Sequence, residues 1–516
     1  MNTVLSWFGL TQADRREQLG IWPAFAAMMG VSLSMMLSSL DQTIVGNALP
    51  TMVAELNGFD LYAWVATSYM LCSMIAIPVF GRLGDYFGRK PFILAAIFTF
   101  TAASVVCAMA DSMWGLVLGR ALQGIGGGMI IGSAFACIPE LFPDTRRRLR
   151  WQIMLSTISS VANATGPVLG GVLTDQFGWR SIFLINVPLG ALALFWACRF
   201  IPFYRPSHGR KIRVDWTGAA LVVIFLVALQ TFVDLMPLGR QGQLAAVGAL
   251  TLAAGVLLYR CEKRATDALL PPRLFLETES LRRLFCLAIL AGALMYVLLF
   301  YLPLLFQGGY GYSPREAGIL VTPLALLMTI GAIVNGRIVI RLRHPNWLLF
   351  FGLGALTLST AGFAIAGPHA SFGHLLGLAI LGGMGLGFSM LNLTLFTQSL
   401  SPHEFLGIAT AMQKSLRLVG GMIGAAVMAT LLSWLYSAQV AHDFAILNQP
   451  EAAAYFSNPQ ALIPGADHAL GRYSTETVEL ARAALRRSLS VGLFIMTGVG
   501  AWALYMLRKV PAIKLG

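Results

Sequence analysis

The stretch IWPAFAAMMGVSLSMMLSSLDQTIVGNALP (residues 21–50) decides the fold, because it is long enough to cross a bilayer and carries one charged side chain, Asp41. A membrane-spanning helix needs about 20 predominantly apolar residues. A carboxylate near the bilayer centre costs about 2.5–3.5 kcal/mol on insertion scales. We therefore expect a transmembrane helix here, and we expect Asp41 to have a functional role and a buried partner.

The composition of the whole chain indicates an integral membrane protein. Of its 516 residues, 57% are hydrophobic and 11% are charged, whereas soluble proteins average about 25% charged residues. The apolar runs predict fourteen spans, at residues 21–49, 61–80, 91–110, 113–141, 151–174, 181–199, 215–236, 243–259, 285–306, 316–338, 347–367, 373–397, 406–434 and 488–507. Most of the 36 Lys and Arg residues then fall on one side, which the positive-inside rule assigns to the cytoplasm. The predicted location is the bacterial cytoplasmic (inner) membrane, with both termini in the cytoplasm.

The two halves of the chain resemble each other. GRALQGIGGGMIIGS (residues 119–133), in the fourth predicted span, is similar to LAILGGMGLGFSMLN (residues 378–392), in the twelfth. GRLGDYFGRK (residues 81–90) is similarly echoed by GRIVIRLRH (residues 336–344). Parallel repeats of this kind predict an all-α integral membrane protein of two six-helix bundles plus two inserted helices. A substrate cavity between the bundles and alternating access around it would follow.

The predicted domain organisation follows from that division. A cytoplasmic N-terminal segment (1–20) precedes the N-terminal bundle (21–199), and a linker with the two inserted helices (200–284) leads to the C-terminal bundle (285–507). The C-terminal bundle includes a long outer loop (435–487), and a cytoplasmic tail (508–516) follows. The Ala-rich outer loop is expected to be a solvated cap, or alternatively a docking surface for a periplasmic adaptor protein.

Arg120, in the fourth predicted span, is a second charge expected within the bilayer. Asp41 lies nine residues before Pro50, about 13 Å from the outer end of its span, and Arg120 lies six residues beyond Trp114, about 9 Å from the same side. Opposite charges buried at similar depth are expected to pair or to share a water-filled cavity. Burial favours a protonated carboxylic acid, whereas a guanidinium favours the carboxylate. Asp41 is thus a candidate proton carrier and Arg120 its tuner; a static ion pair is the alternative.

Two further segments indicate conformational roles. In residues 81–90, Gly81 and Gly88 allow tight turns, and Asp85 can pair with Arg89 or with a basic residue of another span, so we interpret these four residues as a latch. An ordinary basic loop is the alternative. In ATGPVLGG (residues 164–171), the glycines permit close packing and the proline bends the helix. This predicted hinge comprises Gly166, Pro167, Gly170 and Gly171.

Several side chains within the spans are candidates for a cavity. Arg417 is a candidate inner gate. The polar and aromatic candidates for substrate contact, each also compatible with packing, are Asn47, Trp64, Tyr69, Gln123, Asn163, Tyr296, Tyr301, Asn392 and Gln398. The Cys and His residues show no metal-ligand spacing, so we expect no metal and no cofactor, with the proton as coupling ion. The net charge of +13 follows the topology, so nucleic acid is not an expected partner.

These segments resemble the major facilitator superfamily, in its 14-span drug:proton antiporter branch. LDQTIVGNALP (residues 40–50) is similar to the first-span signature LDxTIVNVALP of that branch, and GRLGDYFGRK to the loop signature of the superfamily. GRALQG (residues 119–124) resembles the fourth-span signature RxxQG, and ATGPVLGG the fifth-span antiporter signature. The resemblance implies proton coupling by Asp41 and Arg120, a cytoplasmic latch at Asp85 and Arg89, and an antiporter hinge at Gly166 and Pro167.

The function implied is proton-coupled secondary active export of amphipathic or cationic organic compounds, which is multidrug efflux by alternating access. The expected partners are a small organic substrate and the lipid bilayer. A first alternative is a transporter of the same fold for one metabolite, such as a siderophore, a vitamin or an amino-acid derivative. A second is a membrane-bound enzyme or sensor, but the sequence contains no catalytic cluster and no Walker loop. We therefore expect a protein that is not an enzyme.

Overall fold

A computed structural model describes residues 21–141, 145–203, 216–235, 241–264, 279–339, 342, 344–401, 406–447, 449–463 and 473–510. Side chains at one end of several helices, among them that of Asp85, are outside this description, as are residues 1–20 and most of the predicted tail. Gly81 of the predicted latch also belongs to that undescribed part. The architecture below concerns the described residues.

Fourteen helices of at least 15 residues follow the predicted order in the described part of the chain. They are α1 (Ile21–Glu55), α2 (Tyr62–Phe87), α3 (Arg89–Ala108), α4 (Met113–Leu141), α5 (Thr145–Phe177), α6 (Asn186–Phe200), α7 (Trp216–Leu235), α8 (Gln241–Arg264), α9 (Glu279–Leu304), α10 (Pro314–Val339), α11 (Asn346–Ile365), α12 (Phe372–Leu400), α13 (Leu406–Ile446) and α14 (Thr475–Leu507). Short helical segments stand at Phe59–Leu61, Ser181–Leu184, Leu305–Gly309, Pro450–Tyr455 and Pro459–Leu462.

The helices confirm the predicted fold class. Twelve of them are long and apolar enough to cross a membrane, counted over the described residues. The remaining two predicted spans correspond to α5, which has 33 residues and begins in a basic segment, and to α7, which has 20 residues. Because a helix satisfies its backbone hydrogen bonds internally, this is the form that such apolar runs take in a bilayer.

The two bundles repeat one packing pattern. In the first bundle, α1 packs on α5 and α6, α4 packs on α2 and α3, and α3 packs on α6. In the second bundle, α9 packs on α13 and α14, α12 packs on α10 and α11, and α11 packs on α14. Each helix of the first bundle therefore corresponds to the helix eight places later, as expected for parallel repeats separated by an inserted pair.

The inserted helices lie at one side of the seam between the bundles. α7 and α8 pack on each other, and α7 also contacts α2 and α13. The Gln230 side chain of α7 donates a 2.8 Å hydrogen bond to Thr67 Oγ1 of α2, and both residues are buried. Most residues of α8 are not covered by the rest of the protein, so this helix faces lipid.

The bundles are joined at one end, which we call the outer side because the sequence predicts that Glu55 and Arg180 lie outside. α1 residues from Leu40 to Ala54 share one apolar cluster with residues of the C-terminal bundle. The cluster that contains Ala24 to Leu37 of α1 includes no described residue beyond Ile201. Apolar packing between α1 and the C-terminal bundle therefore concentrates at the outer side.

The outer connection is more helical than the predicted loop at 435–487. α13 continues to Ile446 and α14 begins at Thr475, so the solvated cap is partly built from extensions of two spanning helices. The segment Pro459–Leu462 contacts α1, α14 and the π-helical turn Leu305–Gly309. Phe444 and Phe456 stack with their ring centroids 5.8 Å apart, and both are fully buried. This part of the chain thus packs against both bundles.

Candidate functional site

Asp41 and Arg120 form a buried ion pair between α1 and α4. Arg120 Nη1 lies 2.6 Å from Asp41 Oδ2, and the two residues are 2% and 0% exposed. Asp41 and Arg120, which the span boundaries predict to lie at similar depth, are therefore in direct contact. A charge-assisted hydrogen bond of this length is among the strong polar contacts in proteins, and it partly offsets the cost of burying both charges.

Three neutral side chains complete the network around the carboxylate. Gln123 Nε2 donates to Asp41 Oδ1 at 2.8 Å, and Asn186 Nδ2 donates to the same oxygen at 3.3 Å. Both amides also donate to Ser104 Oγ, at 2.8 and 3.2 Å. The network therefore joins α1, α3, α4 and α6, which are all buried at these positions.

Arg120 lies between this network and the space between the two bundles. Its Nη1 also donates to Gln123 Oε1 at 2.6 Å, and its Nε donates to the Val65 carbonyl oxygen at 3.3 Å. The guanidinium carbon lies 4.5 Å from the centre of the Tyr69 ring, which is within cation–π distance. Arg120 lines the cavity described next, whereas Asp41 does not. The arginine therefore connects the carboxylate to the cavity.

Two adjoining cavities lie between the bundles, with volumes of about 230 and about 220 Å³. Both are lined by Gln42 of α1, Tyr296 of α9 and Arg417 of α13. Tyr69 lines the first cavity and Asn163 the second. Ligand pockets typically measure about 300–1,000 Å³, so the two cavities together are suited to a small organic molecule.

The sequence identified some of this lining and missed other parts. Tyr69, Asn163, Tyr296 and Arg417 were predicted, and they line the cavities. Gln42, next to Asp41, and Lys414, one turn before Arg417, line the first cavity but were not among the predicted contacts. Gln42 could have been identified from the sequence as a candidate for the cavity wall, because it is a polar residue inside an apolar span.

The other predicted cavity contacts lie elsewhere in the structure. Gln123 belongs to the Asp41 network. Tyr301 donates to the Ala425 carbonyl oxygen at 2.8 Å, and Asn392 donates to Asn335 Oδ1 at 3.3 Å. These hydrogen bonds hold them within helix packing.

Trp64 and Gln398 also lie away from both cavities. Trp64 packs against the apolar cluster of the outer side, and Gln398 is exposed near the end of α12. Sequence position within a span does not fix the rotation of a helix about its axis, and that rotation decides which side chains face a cavity.

Asn47 lies at the junction of the bundles rather than at a cavity. Its Nδ2 donates to the Pro314 carbonyl oxygen of α10 at 2.8 Å and to the Pro167 carbonyl oxygen of α5 at 3.4 Å. The Gln307 side chain donates to the Asn47 carbonyl oxygen at 2.8 Å. A residue predicted to contact substrate instead holds the outer side together.

The predicted hinge forms a surface of close helix contact. A Cβ atom added at Gly170 would lie 2.5 Å from the Ile44 carbonyl oxygen of α1, and one added at Gly171 would lie 2.6 Å from the Pro314 carbonyl oxygen of α10. Gly166 faces Thr43 of α1 at similarly close range. α5 therefore packs backbone to backbone on both α1 and α10.

The described part of the predicted latch lies at the turn from α2 to α3. Gly88 has φ +88°, a conformation that glycine adopts without steric cost. Arg89 is buried, and its side chain packs near Gly84. Because the Asp85 side chain is outside the described part, the pairing predicted for it stays a prediction.

Comparisons with known proteins agree with this architecture. Residues 31–425 match the family described as the Major Facilitator Superfamily. The chain is 31% identical over 416 residues to multidrug resistance protein 3 of Bacillus subtilis (strain 168), covering 78% of each chain. It is 31% identical over 425 residues to the multidrug transporter protein MdtP of the same organism, covering 78% of this chain and 74% of that one.

Solved structures show the same fold at low sequence identity. One is a bacterial homologue of the human lysosomal transporter Spinster, in an inward-facing and unoccupied conformation. It matches with a TM-score of 0.62 at 15% identity, covering 95% of this chain and 98% of that one. A peptide transporter in complex with sulfate matches with a TM-score of 0.60 at 13% identity, covering 96% and 99%.

Proposed function

The chain belongs to the Major Facilitator Superfamily, and from that premise we propose that it is a proton-coupled exporter of chemically diverse amphipathic organic compounds. The observation that carries the proposal is the buried pair of Asp41 and Arg120, which are 2.6 Å apart next to the inter-bundle cavities. A titratable acid within a membrane is by default a functional group.

The pair provides a route from proton binding to a change in the cavity. Protonation of Asp41 removes the negative charge that Arg120 faces, so the guanidinium then keeps its hydrogen bonds to Gln123 and the Val65 carbonyl and its contact with the Tyr69 ring, but loses its charged partner. Since Arg120 also lines the cavity, its altered charge balance changes the cavity wall. Proton occupancy and substrate occupancy would be coupled in this way.

The packing between the bundles supports alternating access. In this conformation the outer side is closed by α5 on α10 and by the hydrogen bonds of Asn47. Opening it requires separation of these contacts by a rocking motion of one bundle against the other. The predicted latch and the gate role of Arg417 belong to the same proposal, because each would stabilise one of the two states.

The breadth of the substrate range is proposed from the relatives. Two of them are named as multidrug proteins, and the cavity walls here combine aromatic, thioether and polar side chains. Surfaces of this kind adapt to ligands of different shape. As a transporter, the protein would move its substrate unchanged and catalyse no covalent reaction.

Location and partners are also part of the proposal. We place the chain in the bacterial inner membrane with both termini in the cytoplasm, as the basic residues predict. A periplasmic adaptor would bind at the exposed apolar residues Ile446 and Leu447, where α13 ends. Crosslinking from these positions in intact cells tests this contact, and an absence of any crosslinked partner would contradict it.

Proton-driven flux in proteoliposomes tests the coupling. With an imposed proton gradient and a panel of dyes, cations and metabolites, we expect substrate flux to move protons in the opposite direction. Asp41→Asn should abolish proton movement, because an amide cannot exchange the proton. Asp111→Asn is the matched control, since Asp111 is 95% exposed in an outer connection.

The outcomes separate the alternatives. Undiminished proton-coupled flux in Asp41→Asn would remove this residue from the mechanism. Flux of one metabolite alone would favour a dedicated transporter over multidrug efflux. A folded Asp41→Asn protein that still binds substrate while moving no protons would support the proposal in full.

A further inference from the structure

The two inserted helices form a groove at their inner ends. α7 begins at Trp216 and α8 ends at Arg264, so these two helix ends meet on the side that the sequence assigns to the cytoplasm. The α7–α8 groove has a volume of about 1250 Å³ and is lined by Thr217 and Leu221 of α7 and by six residues of α8 from Leu257 onwards. It shares no described lining residue with the two inter-bundle cavities.

The wall that α8 contributes to this groove is basic. Arg260, Lys263 and Arg264 line it, and all three are exposed. None of the three forms an ion pair with another residue of the described part of the chain. Among the described residues, no Asp or Glu lines the groove.

The acidic residues of the inserted helices lie elsewhere. Asp234 is at the opposite, outer end of α7. Glu262 is 3% exposed and therefore buried. It is two residues from both Arg260 and Arg264, which places it about 200° around the helix from each of them. Its carboxylate thus belongs to the face of α8 opposite the groove.

The connections at this end of the helices also carry more basic than acidic residues. Residues 201–215 contain four Lys or Arg and one Asp, and residues 260–278 contain four Lys or Arg and three Asp or Glu. Even if every one of these carboxylates were paired, four basic residues would remain. The excess of positive charge therefore holds for the whole sequence around the groove.

An apolar surface continues from the basic end of the groove towards the membrane. Leu257 is seven residues before Arg264, so it lies about 10 Å deeper along α8 on the same helix face. Leu250, Val256 and Leu257 are each about half exposed, and the main packing partner of α8 is α7. The groove is therefore open to the bilayer, with positive charge at one end and apolar side chains below it.

We propose that the α7–α8 groove binds an anionic phospholipid of the adjoining leaflet. The phosphate would accept hydrogen bonds from Arg260, Lys263 and Arg264, and the upper parts of the acyl chains would lie on Leu221 and Leu257. Basic pockets between transmembrane helices suit such headgroups. A zwitterionic lipid would place its ammonium group next to three cations. The proposal does not depend on the export function.

Fluorescence quenching by lipid measures this binding. A bimane fluorophore is attached at Leu257→Cys in purified protein whose six native cysteines are replaced by alanine. The vesicles contain four parts phosphatidylcholine and one part of a lipid with brominated chains, which is either phosphatidylglycerol or phosphatidylcholine. Because brominated chains quench on contact, the two lipids can be compared directly. We expect brominated phosphatidylglycerol to bind about fivefold or more tightly at this position.

A second fluorophore position measures the general lipid surround. Ile333 of α10 is 49% exposed and lies six residues before the inner end of its helix, so its depth is similar to that of Leu257. Bimane at Ile333→Cys should report less than half of the preference measured at position 257. Equal preference at the two positions would overturn the proposal, because it would show attraction to the protein surface in general.

Variants of the groove identify the binding residues. One variant replaces its three basic residues: Arg260→Gln, Lys263→Gln and Arg264→Gln. The matched control replaces three exposed basic residues outside the groove on the same side: Arg337→Gln, Arg508→Gln and Lys509→Gln. The first variant should lower the preference at position 257 to that at position 333, and the control should keep it. Should the first variant not fold, Lys263→Gln alone should lower the preference measurably.

The source of the phosphate group is tested in the same vesicles. Glycerol phosphate in large excess should leave the quenching unchanged, because it lacks the acyl chains that contact Leu257. Displacement by this soluble compound would assign the groove to free phosphate esters and overturn the lipid proposal. An undiminished preference in the folded groove variant would overturn it as well.

These readings require no transport, so they are separate from the proton-flux experiment. The lipid proposal can hold or fail whatever the proton coupling of the protein.

Discussion

The buried Asp41 carboxyl group lies within a network of polar neighbours that the fold brings together. Its carboxylate accepts hydrogen bonds from Arg120 and Gln123 of α4 and from Asn186 of α6. Such a network is cooperative, and each member has greater effect than in water because the surrounding dielectric is low. Any change in proton occupancy is thus felt in α1, α4 and α6 together.

Asn186→Asp should move the pH dependence of transport to higher pH. The new carboxylate would lie at the position from which Asn186 Nδ2 now contacts Asp41 Oδ1, at 3.3 Å. Two carboxylates at one site favour binding of a proton, so the pH of half-maximal proton-coupled flux should rise by about one unit or more.

Measurement of flux against pH in proteoliposomes checks this expectation. Asn57→Asp is the matched control, because Asn57 is exposed and its positive φ of 52° is accessible to aspartate. A profile of Asn186→Asp that coincides with that of the unmodified protein would contradict the role of Asn186 in the site.

At the scale of the elements, α5 decides how closely the bundles approach each other. Its glycines remove the side chains that would separate it from α1 and α10. On α10, a Cβ atom added at Gly318 would lie 2.6 Å from the Pro167 carbonyl oxygen and 3.0 Å from Asn47 Nδ2. In a bilayer, where lipid and side chains are equally apolar, helix association depends on such close packing.

Gly318→Leu should prevent closure of the outer side. A leucine would meet backbone atoms of α5, which cannot move aside as a side chain can, so α5 and α10 must separate. A cysteine introduced at Thr51, near Gln307 in this junction, should then react several-fold faster with an impermeant maleimide than the same cysteine does when Gly318 is unchanged.

The labelling is measured in a variant whose six native cysteines are replaced by alanine, so that only the introduced cysteine reacts. Gly377→Leu in α12 is the control, since an added Cβ there meets nothing within 4 Å. Equal labelling rates in the two leucine variants would show that the α5–α10 contact does not control access.

At the scale of the whole molecule, the fold combines two repeats with an inserted pair. The same helix contacts recur eight helices later, and α7 covers the seam beside α2 and α13. Because α7 contacts helices of both bundles, its position constrains their relative motion. During the rocking motion proposed for transport, α7 must therefore keep its contacts with α2 and α13 or slide along one of these helices.

The topology gives a prediction for the entire chain. Cysteines placed at Glu451 and at Arg264, both exposed, should lie on opposite sides of the membrane. In intact cells, an impermeant maleimide should label the cysteine at position 451. It should label the cysteine at position 264 only after the cells are permeabilised. Labelling of both positions in intact cells would contradict the odd number of spans between them, which are the five helices α9 to α13, and the assigned orientation.

The sequence by itself determined the membrane class, the positions of the spans and the two buried charges. These follow from local properties, since span length is set by bilayer thickness and a charge within an apolar run has few ways to be satisfied. Asp41 and Arg120 were identified as partners because both the depth and the sign of their charges can be read from the chain.

Only the tertiary structure decided which neutral residues join them. Asn186, like Gln42, is a polar residue inside an apolar span, but neither its local sequence nor that of Ser104 shows which side chain it contacts. Gln123 and Asn47 were expected at the cavity, yet one binds Asp41 and the other joins the bundles. In helices that are apolar on most faces, rotation about the axis is set by packing against neighbouring helices, and that information is not contained in any single span.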